Sequence, residues 1–306
     1  MSNFYKSLRA KISLAFQYLG YDVRRLPPRP RKTSDVVKIK VAGSELKIHG
    51  GNPLSRVYAR NPRCNMHMAR VAALIEKKYS AAWGVDVGAN IGDTLAIVRS
   101  TAKMPVICVE GDNHCFALLQ ENAQRFKDVH LFNTFLSNKP GATFVKTEKD
   151  GWNTTLLETT DPENGREVRF ETLDELSSRL KCQTAIKFLK VDTEGYDMRI
   201  LNGAEKILTS ARPVLSFEIN KENIEPLGDD VGEFFNYLTG LGYCRFYLMN
   251  PDGGPVCILE ANGHKTFMSL YQFSGFGRSI CYLDVLAFHQ DDEGLFEDFL
   301  MGENRA

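Results

Sequence analysis

Val85-Asp-Val-Gly-Ala-Asn-Ile-Gly-Asp-Thr94, set directly behind Ala81-Ala-Trp-Gly84, decides how this chain folds. A short apolar run holds an acidic residue, a turn of small residues follows, and Leu95, Ile97 and Val98 open an apolar helical pattern. That order describes a first strand, a ligand-binding loop and the start of a helix. Gly88 and Gly92 suit a sharp turn and offer bare backbone against which a ligand can lie. A dinucleotide loop has the form G-x-G-x-x-G, whereas Asn90 and Asp93 stand here where its second and third glycines would fall. The loop therefore suits a ligand without a diphosphate, and S-adenosylmethionine (SAM) leads over NAD.

Strand and helix patterns alternate around this loop. Strands are expected at 36–41, 106–110, 129–136, 186–191, 213–219, 243–248 and 280–288, and helices at about 66–79, 112–126, 197–209 and 229–241. Residues 141–171 break the alternation. Segments 142–146 and 167–170 read as a hairpin or two edge strands around a polar loop. In that loop Trp152 and Asn153 form either a ligand wall or a packing plug. Repeated strand–helix units predict an α/β, doubly wound, mostly parallel sheet with its ligand at the carboxyl ends of the strands. The last two strands flank a glycine-rich loop with no clear crossover helix, which leaves one of them free to run antiparallel.

At 306 residues, 43% hydrophobic and 25% charged, the chain has an ordinary globular composition. Its zero net charge hides an asymmetry. Residues 1–40 carry ten Lys/Arg against Asp22 and Asp35, leaving the remainder acidic by eight charges. Residues 2–20 read as a basic amphipathic helix through Phe4, Leu8, Ile12 and Phe16, and Pro27-Pro-Arg-Pro-Arg-Lys32 as an exposed linker. A domain of residues 41–306 then follows an arm of residues 1–40. The arm fits either peripheral contact with an anionic membrane or protein through residues 2–32, or packing on its own domain. No nucleic-acid partner is expected. Seven cysteines without a C-x-x-C pair give no disulfide framework or zinc pattern, and the absence of a membrane-length apolar run or signal-peptide core points to the cytoplasm.

Glu110 closes the second strand about 20 residues beyond the loop, where an acid binds both ribose hydroxyls. Asp86 either fixes the loop or the ligand's amino group, or caps a helix, and Asn90 and Thr94 face the same choice between the amino-acid end of SAM and capping. The stretch Phe188-Leu-Lys-Val-Asp-Thr-Glu-Gly195 delivers Lys190, Asp192 and Glu194 at alternate positions, so all three are expected on one side of the sheet end. They form a general-base and substrate-binding group or, on the plainer reading, a structural ion pair. Glu218 and Asn220 alternate on the next strand and are expected to converge with Asp192. Oxygen ligands alone do not define a metal site, and no metal is assigned. The six histidines lack metal spacing, and His67, His114 and His264 read as surface or loop residues.

Taken in order, 85–94, Val109-Glu-Gly-Asp112, Glu171-Thr-Leu-Asp-Glu-Leu176, Phe188 to Asp197 and Leu201-Asn-Gly-Ala-Glu205 resemble the FkbM family of SAM-dependent methyltransferases, from about residue 80 to 220. The resemblance implies a Rossmann-like class I methyltransferase sheet of seven strands, the last antiparallel, and O-methylation of a hydroxyl, often on a sugar or polyketide. It also implies that 85–94 and Glu110 bind SAM, that Leu136-Ser137-Asn138 lies near the adenine, and that Asp192 and Glu194 face the acceptor with Lys190 and Glu218 orienting it. A non-catalytic SAM- or nucleotide-binding module of a polysaccharide-assembly complex is the alternative of another class.

Overall fold

The computed structural model describes residues 35–150, 153–159, 161 and 163–303. The expected helix at 2–20, the linker up to residue 32, Trp152 and the side chain of Asn153 lie outside the described residues. The chain opens with an antiparallel ribbon, β1 (Val36–Val41) and β2 (Ser44–His49), which straddles the expected 40/41 boundary. Helices Leu54–Arg60 and Met66–Lys78 follow.

The main sheet is built from β3 (Trp83–Val87), β4 (Val106–Val109) and β5 (Val129–Phe132). An excursion then supplies β6 (Phe135–Leu136), β7 (Gly141–Asp150), β8 (Asn153–Thr159) and β9 (Arg166–Glu171). The chain returns with β10 (Ile186–Val191), β11 (Val214–Ile219), β12 (Tyr243–Met249), β13 (Pro255–Glu260) and β14 (Leu283–His289). Their order across the main sheet is β13-β12-β14-β11-β10-β3-β4-β5. Strands β3, β4, β5, β10 and β11 are mutually parallel, while β14 runs antiparallel to both β11 and β12. This is the Rossmann-like, doubly wound sheet with an antiparallel closing strand that the resemblance implies. It carries an eighth strand at the edge, because Pro255–Glu260 pairs with β12 inside what reads in sequence as loop.

Alternation along the strands sends side chains to two buried layers. Val85, Val87, Ile107, Val109, Leu189 and Val191 pack on one face. Val106, Cys108 and Phe188 join Ile75, Leu95 and Ile97 on the other. The predicted strand at 129–136 divides in two, since β6 leaves the main sheet and pairs with β9 in the excursion. The excursion is a four-stranded sheet, and the expected polar loop in it is largely the β7–β8 hairpin. The predicted helix at 197–209 breaks into Asp197–Asn202 and Glu205–Ser210. At the break lies Gly203, where a Cβ would sit 2.3 Å from the Ser137 carbonyl oxygen.

Helix Met66–Lys78 packs beside helix Asp93–Arg99, and the Thr101 hydroxyl ties the two through the Ala69 carbonyl at 2.7 Å. In helix Leu54–Arg60 the buried Tyr58 hydroxyl donates to Asp93 Oδ2 at 2.6 Å, so the N-terminal segment grips the first residue after the loop. Asp93 is itself buried, and losing its donor leaves a desolvated carboxyl underserved. Tyr58→Phe is expected to lower unfolding stability by about 1–3 kcal/mol, read as an earlier urea midpoint at unchanged slope. An unmoved midpoint would show that the contact contributes nothing.

Candidate active site

Parallel register aligns Lys190 with Asp86 on one side and with Ser216 on the other, and Asp86 with Cys108. A polar row thus crosses the centre of the sheet on one face, one residue below the carboxyl ends of β3 and β10. Lys190 Nζ lies 3.1 Å from Asp86 Oδ1 and 3.3 Å from Asp192 Oδ2. It also donates to the Gly88 carbonyl at 3.4 Å. Burial opposes the charge on Lys190, yet Asp86, Asp192 and Asp93 outweigh it and hold the ammonium above its ordinary value. Asp86 is 2% exposed, and burial pushes its carboxyl up to about 6 against the pull of Lys190. The ion pair of the plainer reading therefore exists with Asp86, while the half-exposed Asp192 shares the same ammonium from above.

Loop 88–92 reaches over this pair. Gly88 has φ +75°, and a Cβ there would fall 1.9 Å from the Asp192 carbonyl oxygen. The glycine is needed for the approach of two strand ends, a protein contact that the sequence cannot display. Glu110 fastens the loop. Its Oε2 accepts from the Asn90 N–H at 2.8 Å and its Oε1 from the Asp112 N–H at 2.7 Å. Burial raises its carboxyl and these N–H donors lower it, with burial prevailing. Each oxygen keeps a second lone pair for a ligand hydroxyl.

Above the loop is a cavity of about 430 Å³, within the range of small-molecule sites. Gly88, Asn90, Thr94, Glu110, Lys190, Asp192, Glu194 and Glu218 all line it. Among the expected site residues, Asp86 lies beneath its floor, and Gly92, Ser137 and Asn220 are not on its wall. Gly92 serves the turn at φ +87°, beside Leu119. Residues 134–136 line the cavity in place of Ser137, and Phe135, Phe170 and Tyr196 form an aromatic side in which Phe170 stacks on Tyr196 at 5.6 Å.

The alternation that places Lys190 and Asp192 ends at Val191. Glu194 reaches the cavity through a turn, with φ +55° at Glu194 and +110° at Gly195. Asn223 Nδ2 donates to Glu194 Oε2 at 2.9 Å. Asp197 holds this turn from below, accepting from the Thr193 N–H and hydroxyl at 2.8 and 2.7 Å and from the Glu218 N–H at 3.0 Å.

Residues that the sequence reading missed complete the wall. Asp284 on β14 faces Glu218 across the antiparallel pair, and Tyr282 precedes it. Asn65 and His67 enter from the N-terminal segment. His67 is buried in the cavity wall, not a surface residue, because helix Met66–Lys78 starts at the strand ends instead of outside them. His114 is exposed and His264 half-buried. All seven cysteines are free.

Among the described residues the wall carries seven carboxyl side chains and one lysine. A diphosphate would meet this field at a large electrostatic penalty, whereas the sulfonium and ammonium of SAM complement it. Glu110 with its free lone pairs, the apolar Phe135 and Leu136, and the acidic wall offer hydroxyl, apolar and cationic groups a place each, so the residues present fit SAM. No cluster of three or more His, Cys, Asp or Glu arranged to hold a metal occurs among the described residues. No described helix is long and apolar enough to cross a membrane.

The methyltransferase FkbM domain matches residues 86–244, a little over half of the chain. No curated protein matches the chain in sequence. It is similar to the solved precorrin-6y C5,15-methyltransferase of Geobacter metallireducens, at 11% identity over 72% of this chain and 86% of that one, with a TM-score of 0.35. A SAM-dependent methyltransferase from Agrobacterium tumefaciens aligns at 9% identity over 83% of this chain and 70% of its own, with a TM-score of 0.39.

The acids of the site make stability depend on pH in an uncommon direction. Burial is the main cause that lifts Asp197 to about 7 and Asp284 to about 8, with Asp192 adding to both. In the unfolded chain these groups release their protons near the ordinary carboxyl value of about 4. The folded state therefore binds more protons between those limits, and stability falls as pH rises from about 4 to about 8. Urea midpoints of the ligand-free protein are expected to be higher at pH 5 than at pH 8, with a smaller difference in Asp284→Asn. A higher midpoint at pH 8 would contradict the assignment.

Proposed function

The chain belongs to the FkbM methyltransferase family and uses SAM as its cofactor, and we propose that it methylates a hydroxyl oxygen, on a sugar of a glycan or glycoconjugate. The observation that supports an oxygen acceptor is the carboxyl-lined end of the cavity, where Asp192, Glu194, Glu218 and Asp284 stand together. Carboxyl groups of this kind bind adjacent hydroxyls by accepting their protons in hydrogen bonds.

Bound SAM supplies an electrophilic methyl group. The chain's own part is to align an acceptor oxygen with it and to take the acceptor's proton. Asp192 is the base of this scheme. It is the carboxylate that both opens to the cavity and rests on Lys190, which fixes its orientation from beneath. Glu194, held by Asn223 in its left-handed turn, orients the acceptor hydroxyl from the side. Burial and the neighbouring Asp192 push the Glu218 carboxyl well above the usual carboxyl range, and from the cavity wall it orients the acceptor hydroxyl. Asp192 would take the acceptor's hydroxyl proton, while the methyl group that bound SAM supplies would pass from sulfur to that oxygen, leaving a methyl ether and S-adenosylhomocysteine.

Incubation with ¹³C-methyl SAM and a panel of neutral oligosaccharides is expected to give a methyl-ether carbon resonance. A product methylated on nitrogen or carbon would overturn the oxygen assignment. Asp192→Asn is expected to keep affinity for S-adenosylhomocysteine within about threefold while turnover drops by at least about a hundredfold. Loss of S-adenosylhomocysteine binding would instead move Asp192 into the cofactor site.

A further inference from the structure

SAM brings a carboxylate into this acidic cavity along with its two cationic groups. Lys190, the one lysine on the wall, is committed to Asp86 and Asp192. Two further polar residues, Asn65 and His67, meet the cavity where a helix begins. Helix Met66–Lys78 starts there and runs for 13 residues. The first turn of a helix carries the positive end of the helix dipole, and here the Met66 and Met68 N–H groups are held by the Arg63 and Asn65 carbonyls at 3.2 and 3.0 Å, which leaves the His67 N–H facing outward from the turn. Asn65, its N-cap, sits at φ 61° and makes no side-chain cap hydrogen bond, although its side chain is on the cavity wall.

His67 gives the second and independent observation. It is 5% exposed, it lines the cavity, and its imidazole has no hydrogen-bond partner among the described residues. Its ring nitrogens are not among the fully buried atoms that lack a partner, so the ring's polar edge opens to the cavity. Burial, helped by the charge of Arg70, pushes the imidazole down to about 3. The ring is then neutral at pH 7 and offers one N–H to donate.

We propose that the N-terminus of helix Met66–Lys78, with the His67 imidazole and the Asn65 amide, seats the carboxylate of the cofactor's methionine end. The proposal rests on the SAM cofactor and is independent of the acceptor's identity. It also places part of cofactor recognition outside residues 86–244, in a segment that the family match does not reach. The positive end of a helix dipole, one helix N–H and a neutral imidazole attract a carboxylate without adding a cation that the surrounding acids would capture. An acceptor carboxylate would find the same donors, so the test must separate the two sources.

Calorimetry with S-adenosylhomocysteine and its decarboxylated analogue, which keeps the ammonium and lacks only the carboxylate, makes that separation. The unchanged protein is expected to bind S-adenosylhomocysteine at least about tenfold more tightly than the analogue. In His67→Phe the preference is expected to shrink to within about threefold, with affinity for the analogue unchanged, and His67→Gln, which keeps a donor, restores most of it. Retained affinity for the analogue also reports that each variant is folded. The proposal is overturned if His67→Phe weakens both ligands equally or neither, which would leave His67 a packing residue or the donor set for an acceptor carboxylate. Failure of the unchanged protein to bind S-adenosylhomocysteine at all would overturn this proposal and the cofactor assignment together, whereas failure of oligosaccharide methylation leaves it standing.

Discussion

One buried ammonium organises the centre of this molecule. Lys190 lies in a row of side chains that register alone brings together, with Asp86 beside it on β3 and Asp192 above it beyond the end of β10. Among the described residues Asp86 has no hydrogen bond from another group, and Lys190 is the cation that compensates it. Removing one member of such a pair leaves an unpaired buried charge, a loss far greater than the net worth of the pair itself. The ladder register that pairs Lys190 with Asp86 also brings Gly88 against the Asp192 carbonyl just above them, where the cavity floor lies.

Three further connections carry this floor outward. Glu110 pins the loop through the N–H groups of Asn90 and Asp112, which couples β3 to β4. Asp197 pins the turn after β10 and the end of β11 with one carboxyl. Tyr58 pins the start of helix Asp93–Arg99 from the N-terminal segment. Each uses a buried or half-buried acid to collect donors at a strand or helix end, where backbone groups lack partners within their own element. Glu110 and Asp93 also stand on the cavity wall, so groups that shape the site contribute to its acidic lining.

The antiparallel β14 has a direct consequence for the site. Because it runs against β11, its first residues reach the carboxyl ends of the parallel strands, and Tyr282 and Asp284 enter a cavity otherwise built by β3, β4, β10 and β11. A parallel strand in that position would have brought its last residues there instead. The helix start at Met66 makes the corresponding contribution from the other end of the chain.

Local sequence determined the elements with strong periods: β10 at 186–191 matched its expected limits, and the loop at 85–94, Glu110 and the acids at 192, 194 and 218 were legible as strand-end chemistry. Period and turn composition are properties of neighbouring residues, so they can be read along a chain. The rest depends on neighbours far apart in sequence. At the helix break Gly203 leaves no room for a Cβ against the Ser137 carbonyl, and Glu194 reaches the cavity by a left-handed turn that no alternation rule foresees. Pro255–Glu260 becomes a strand because β12 offers an open edge. His67 and Asp284 carry no local mark of a site, since what makes them part of one is where a helix begins and which way a strand runs. Those are decided by packing across the whole sheet.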